Sequence, residues 1–172
     1  MAKNRGSGTL EITLPSDTEI LMTRVLDAPP RLVFEAMTRP EHVRRWWCCM
    51  DGFTMTVCEI DLRVGGRWRY VIVGPHGEVA FHGVYQEIAP PERLVHSELL
   101  EPHPDGLVVT ITLEDRDGKT YYRSLSRAVS KEQRDVVLSS GMEVGAELAL
   151  DRMEEVAQSL EPERATTGQA AR

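Results

Sequence analysis

Between residues 141 and 160 the apolar and small residues Met142, Gly145, Ala149, Met153, Val156 and Leu160 recur at steps of three and four, which sets them along one side of a helix. Glu143, Glu147, Asp151, Arg152, Glu154 and Glu155 take much of the remaining surface. A helix with one apolar stripe has to bury it against another element. Upstream the sequence offers five or six strand-like runs, enough for one sheet. The chain is therefore read as a sheet curved around its last long helix.

The strand runs are set by a period of two. Leu107, Val109, Ile111 and Leu113 alternate with Val108, Thr110 and Thr112, and Asp115-Arg116-Asp117-Gly118 supplies a hairpin turn. Lys119 to Ala128 pairs back. Glu19–Leu26, Arg67–Val73, Val79–Ile88 and Arg93–Leu100 are further strands, and Phe53, Met55 and Val57 share one face of another. Two short helices are expected between the first strand and this meander. One follows Pro29-Pro30, with Leu32, Val33, Ala36 and Met37 on its apolar side, and the other runs from Glu41 to Trp47. Ser130 caps a later helix, Ser139-Ser140-Gly141 kinks it, and Glu161-Pro162 is expected to end the last one. Consecutive hairpins imply antiparallel pairing, hence an α+β domain over residues 17–160. Residues 1–16 read as an N-terminal tail or arm, in which Leu10–Leu14 is a candidate edge strand and dimerisation edge, and 161–172 as a C-terminal tail.

Composition narrows the function classes. A net charge of −7 argues against a nucleic-acid or acidic-membrane surface. No apolar run approaches the ~20 residues of a spanning helix, and residues 1–8 lack the apolar centre of a signal peptide, so a cytoplasmic location is expected. The three cysteines read as thiols rather than a disulfide framework, and a redox or metal role at Cys48-Cys49 is the sharper alternative. The five histidines show no His-Glu-x-x-His spacing, Gly65-Gly66 lacks the Gly-Lys-Ser/Thr of a phosphate loop, and no Gly-x-Ser-x-Gly elbow occurs. No metal and no cofactor are expected.

Several stretches in order carry a resemblance. Asp27-Ala28-Pro29, Val33-Phe34, Pro40-Glu41-His42 and Trp46-Trp47 are followed by Glu59-Ile60-Asp61-Leu62-Arg63-Val64-Gly65-Gly66-Arg67-Trp68. Phe81-His82-Gly83-Val84-Tyr85, Ile88-Ala89-Pro90-Pro91-Glu92-Arg93-Leu94 and Ser140-Gly141-Met142-Glu143 complete the set. Together these resemble the bacterial branch of the family named for homologues of the activator of heat-shock protein ninety ATPase, within the START-like, or SRPBCC, superfamily. The resemblance spans residues 17–160 and implies the helix-grip fold, with two short helices after the first strand. Two places depart from the family pattern: Cys48-Cys49 replaces a small turn, and Gly145-Ala146 stands where Gly-Trp is usual. Loss of that bulk would enlarge a cavity or open its mouth.

A gripped helix leaves a concave pocket between helix and sheet. Strand parity sends Val109 and Ile111 inward, with Leu94, His96 and Glu98 on the next strand and Tyr122, Ser124 and Ser126 on the following one. Trp47, Trp68, Tyr70 and Tyr85 supply aromatic walls, and Met142, Gly145 and Ala149 of the helix close the space. His96 and Glu98 form the sharpest pair, because a carboxylate beside an imidazole raises its affinity for a proton and makes an acid–base unit. Tyr122 is the third catalytic candidate. Arg63, Arg67 and Arg69 read as a solvated face balanced by Glu59 and Asp61. The leading expectation is a binding protein for a small hydrophobic molecule. A cyclase- or isomerase-type enzyme is the first alternative, and the family name implies a second, a stimulator of a chaperone ATPase.

Overall fold

A computed structural model of the chain describes residues 9–48 and 50–167, with side chains described as far as Leu160. The alternating runs become strands β1 (Glu11–Thr13), β2 (Glu19–Leu26), β3 (Thr54–Ile60), β4 (Arg67–Gly74), β5 (Gly77–Ala89), β6 (Arg93–Leu100), β7 (Leu107–Arg116) and β8 (Lys119–Arg127). Helices α1 (Pro30–Thr38) and α2 (Pro40–Val43) lie between β2 and β3, and α3 (Lys131–Ser139) and α4 (Met142–Thr167) follow the sheet. The strands form one eight-stranded sheet in the order β1-β2-β8-β7-β6-β5-β4-β3. Each neighbouring pair is antiparallel. The chain of hairpins thus runs without interruption from β3 to β8, and β2 adds to the far side. The expected edge strand is present as β1, paired to β2 through Ile12 and Met22.

Local chemistry sets the boundaries. Asp117 and Gly118 take positive φ (56° and 81°) between Arg116 and Lys119, which are paired, so a two-residue turn joins β7 and β8. Proline starts α1 and α2, where its missing N–H is no loss. The Ser130 hydroxyl accepts from the Gln133 N–H at 3.1 Å and caps α3. Gly141, at φ 79°, makes the break before α4.

The middle of α4 carries the core. Leu150, Met153, Val156, Ala157 and Leu160 are buried against Leu32, Val33, Ala36 and Met37 of α1 and the inner face of the sheet, each large side chain contributing roughly 1.5–3 kcal/mol. Two acidic residues expected on the outer surface lie on this side instead. Asp151 accepts from the Arg24 guanidinium at 2.5 Å, and Arg24 is only 3% exposed. Glu154 is buried and accepts the Asp27 N–H at 2.7 Å, while Gln158, one turn on, donates to the Asp27 carbonyl at 3.0 Å. These contacts fasten the β2–α1 connection to the helix. An acid on the buried side is stable here because a specific donor meets it.

Three other expectations are corrected. A bulge between Met55 and Val57 switches the parity of β3, so that Cys58, paired with Tyr70, is buried and Val57 is not. The second short helix ends at Val43, with turns carrying the chain on to Trp47. The last helix continues past Glu161-Pro162 to Thr167: proline removes one ladder bond, and a helix already several turns long persists through that loss.

Candidate functional site

The register across six strands decides what faces α4. Ile111 pairs with Ser124 and Leu94, and Leu113 pairs with Tyr122. Val109 pairs with His96 and Ser126, and His96 pairs in turn with Tyr85. Trp68 lies opposite Gly83, Tyr70 opposite Phe81 and Cys58. Paired residues share a face, so His96, Glu98, Tyr122, Ser124, Val109, Ile111, Tyr85, Trp68 and Tyr70 all stand on the concave side. Val109, Ile111, Tyr122 and Ser124 are buried, as are Trp68, Tyr70 and Tyr85.

An aromatic wall runs across this face. Trp47 reaches in from beyond α2 and meets Tyr70 and Phe81 edge-on, at centroid distances of 5.2 and 4.9 Å. Tyr70 touches Trp68 at 4.7 Å, Trp68 meets the His96 ring at 5.5 Å, and Tyr85 lies 6.2 Å from His96. Gly83 makes the wall continuous. A Cβ there would fall 1.8 Å from the Ser97 carbonyl oxygen and 2.6 Å from Trp68 Nε1, so the indole crosses over β5 and donates to the Ser97 carbonyl at 3.2 Å. A glycine inside a strand signals close approach, and that signal was available in the sequence. Phe81 is the aromatic member absent from the expected set.

The polar members behave differently from the expected pair. His96 and Glu98 share the face but make no ion pair. Burial lowers the His96 pKa, opposed only by its hydrogen bond to the Ser97 carbonyl, and so keeps the ring neutral. Burial alone pushes the Glu98 carboxyl up to about 7. The expected effect of a carboxylate on the imidazole is thus overridden by desolvation of both groups. Because a carbonyl can only accept, the proton of the neutral ring sits on Nδ1, 3.2 Å from Ser97 O, and Nε2 presents a lone pair. Tyr122 is pushed up to about 12 by burial, opposed by its hydrogen bond to Ser124. Burial raises Tyr70 and Tyr85 as well.

His96 and Glu98 are hemmed in by protein yet keep part of their surface accessible. That combination marks the lining of a concavity rather than packed core. On the helix side, Met142, Gly145 and Ala149 are half-buried, and a Cβ built on Gly145 meets no atom within 4 Å. Gly145 therefore does not draw helix and sheet together, and a side chain there would have room. Two open surface depressions, of about 570 and 350 Å³, lie at the rim around Pro29, Arg31 and Pro91 or Gly118, and neither gathers aromatic rings.

The remaining candidates have other roles. Trp46 is buried and donates to the Ala36 carbonyl at 2.8 Å, bracing α1. His82 points away from the grip and joins Arg69 on Glu101, at 3.2 and 3.1 Å, and Glu59, the cross-strand neighbour of Arg69, adds to the balance. Arg63 does pair with Asp61, at 2.8 Å. Cys58 is buried, and burial raises its thiol pKa, which leaves it unreactive. Cys48 packs against the core, and Cys49 lies outside the described residues. Among the described residues no cluster of His, Cys, Asp or Glu could hold a metal ion, and no helix is long and apolar enough to cross a membrane.

The chain belongs to the family described as activator of Hsp90 ATPase homolog 1-like protein, whose profile matches residues 27–158. Its architecture, a curved antiparallel sheet around a long C-terminal helix, is the helix-grip fold of the START-like superfamily. Among solved structures it is similar to a protein from Rhodobacter sphaeroides at 29% identity and a TM-score of 0.82, covering 89% of this chain and 100% of that one. It is also similar to a protein from Mycobacterium smegmatis (23% identity, TM-score 0.77, 87% and 96% covered). A third similar structure is an AHSA1-like protein from Aeromonas hydrophila (19% identity, TM-score 0.58, 81% and 93% covered). The last two show the fold alone. No curated protein matches the chain.

Proposed function

We propose that this member of the activator family is a binding protein, holding a small, largely hydrophobic molecule between the inner face of the sheet and the N-terminal half of α4. The observation that carries this reading is a set of polar atoms without protein partners inside an aromatic lining. Glu98 makes no hydrogen bond or ion pair among the described residues, and His96 Nε2 and the hydroxyls of Tyr70 and Tyr85 are likewise unengaged. These atoms are not sealed from solvent, so a ligand entering the grip can supply their partners. Apolar walls with a few convergent polar groups are what small-molecule sites are made of. The bare space at Gly145 lies where the occupant would meet the helix. Family membership supports a ligand-binding or co-chaperone-like role in general terms.

The test is native mass spectrometry of protein purified from its own host. A mass above that of the bare chain, released on gentle denaturation as a small molecule, is expected. Consistently bare protein that also gains no thermal stability from a library of apolar compounds would sink the reading, since any molecule bound only by the folded state raises the melting temperature.

One observation favours a second reading, acid–base chemistry on the bound molecule. A carboxyl near pKa 7 both gives and takes a proton at neutral pH. Glu98, rather than His96, would carry the proton. Glu98→Gln would then abolish turnover while His96→Ala would reduce it modestly, and equal loss in both variants would argue against the assignment.

A further inference from the structure

We propose that residues 142–149, the first turns of α4, form a strap that lifts from the sheet, driven open by the buried charge of Arg24 and held closed by Asp151. It rests on the binding reading above only for its purpose, which is to admit an occupant. The movement itself is tested without a ligand.

Both ends of the strap are fixed. Upstream, α3 is tied down by Arg134, 7% exposed, which donates to the Ser16 carbonyl at 2.8 Å, and by Gln133, which donates to the Asp105 carbonyl at 3.1 Å. Downstream, Leu150, Met153, Val156, Ala157 and Leu160 are buried in the core. Between these anchors no residue from 142 to 149 is buried. Val144 is 74% exposed, and a Cβ on Gly145 meets no atom within 4 Å. Gly141, at φ 79°, separates the strap from α3, so the two helices do not support each other as one ladder. A stretch with so little buried apolar surface opens locally at far lower cost than the core beside it.

The sheet reaches the strap through Arg24 of β2. Nη2 donates to Asp151 at 2.5 Å and Nη1 to the Glu147 carbonyl at 3.5 Å, two acceptors one turn apart where the strap joins the packed part of the helix. The third direction of the fork is unmet: Nε is sealed from solvent and has no acceptor. A guanidinium has five N–H donors and no acceptor of its own, so closure over Arg24 dries a charged group and leaves one donor unpaired. The counter-charge comes from a single carboxylate, and Asp151 is itself part-exposed. Desolvation of a buried ion is offset only when its hydrogen bonds are complete. Lifting the strap returns water to Nε, while Asp151 keeps the hydration it already has. Arg24 therefore favours the open position and Asp151 the closed one, and the strap is balanced between them.

Two substitutions separate these roles, because they shift the balance in opposite directions. Amide hydrogen exchange is followed by NMR on the full chain at residues 146–149, past the first turn, whose amides lack helical partners in any case. In the wild type these amides are expected to exchange about tenfold or more faster than those of 153–160 in the same helix. Asp151→Asn removes the holding charge and should speed exchange at 146–149 by about tenfold or more, the order of one charge-assisted hydrogen bond. Arg24→Met replaces the buried charge with an apolar chain and should slow exchange there below the wild-type rate. Melting curves check that both variants are folded; if Asp151→Asn is not, the wild-type profile and Arg24→Met still decide. Uniform protection along α4 would overturn the strap. Changes of the same sign in both variants, or none in Arg24→Met, would overturn the role of Arg24. Neither result touches the binding reading, which stands or falls by the mass of the purified protein.

Discussion

Replacing Glu98 by glutamine should make the empty protein more stable at alkaline pH, and the effect can be sized. The carboxyl titrates near 7 in the folded chain against 4.5 for an unperturbed group. Between those values the folded state holds a proton that the unfolded state has released. The contribution of the protonated form is complete below 4.5 and is lost as pH rises through about 7. The difference corresponds to a ceiling of about 3 kcal/mol at ~1.4 kcal/mol per pH unit, a ceiling because the carboxyl keeps some accessible surface in the grip. Glutamine has the same shape and no titration. The difference in melting temperature between Glu98→Gln and wild type should therefore be near zero at pH 4.5 and grow to roughly 6–12 °C at pH 8, taking ~2–4 °C per kcal/mol for a chain of this size. His96 works the other way: burial lowers its pKa, so its contribution is present at neutral pH and lost as pH falls. It is common to both proteins and cancels in the difference. The assay is a pair of melting curves by circular dichroism at half-unit steps of pH. Parallel curves for the two proteins would refute the reasoning, because they would place the carboxyl in ordinary solvent.

The two functional glycines should respond oppositely. Gly83→Ala drives a Cβ into the Ser97 carbonyl and the Trp68 indole, and is expected to lower stability by about 3 kcal/mol or more in urea unfolding; a loss below ~1 kcal/mol would show that β5 and β6 yield easily. Gly145→Leu meets open space and should be neutral or stabilising by up to ~1 kcal/mol through helix propensity, while abolishing retention of any bound molecule in native mass spectrometry; undiminished binding would place the occupant elsewhere. Asp151→Asn strands the buried Arg24 charge and should cost about 2–3 kcal/mol, discounted because Asp151 is itself part-exposed. The double change Arg24→Met with Asp151→Leu should recover most of it in denaturant titrations, and failure to recover would mean that the pair does more than neutralise itself.

Much of this molecule follows from short-range patterns. The step of two in Leu107–Leu113 and the step of three and four in the last helix predict the sheet, the helix and which faces meet, because side-chain direction repeats with the backbone. Parity alone was enough to bring His96, Glu98 and Tyr122 to one side. Where one extra residue enters a strand, as between Met55 and Val57, the same rule points the wrong way, and only the paired strand reveals it. The properties that bear on function are of another kind. Desolvation of Glu98 and His96 depends on every neighbour that displaces water, and those neighbours come from strands far apart in the chain. Gly83 and Gly145 are identical as letters, yet one excludes a methyl group and the other faces empty space. Arg24 and Asp151 are 127 residues apart and look like surface charges until they meet. Periodicity is a local property and is written in the sequence; solvation, free volume and charge pairing belong to the three-dimensional arrangement, and they decide what the grip can hold.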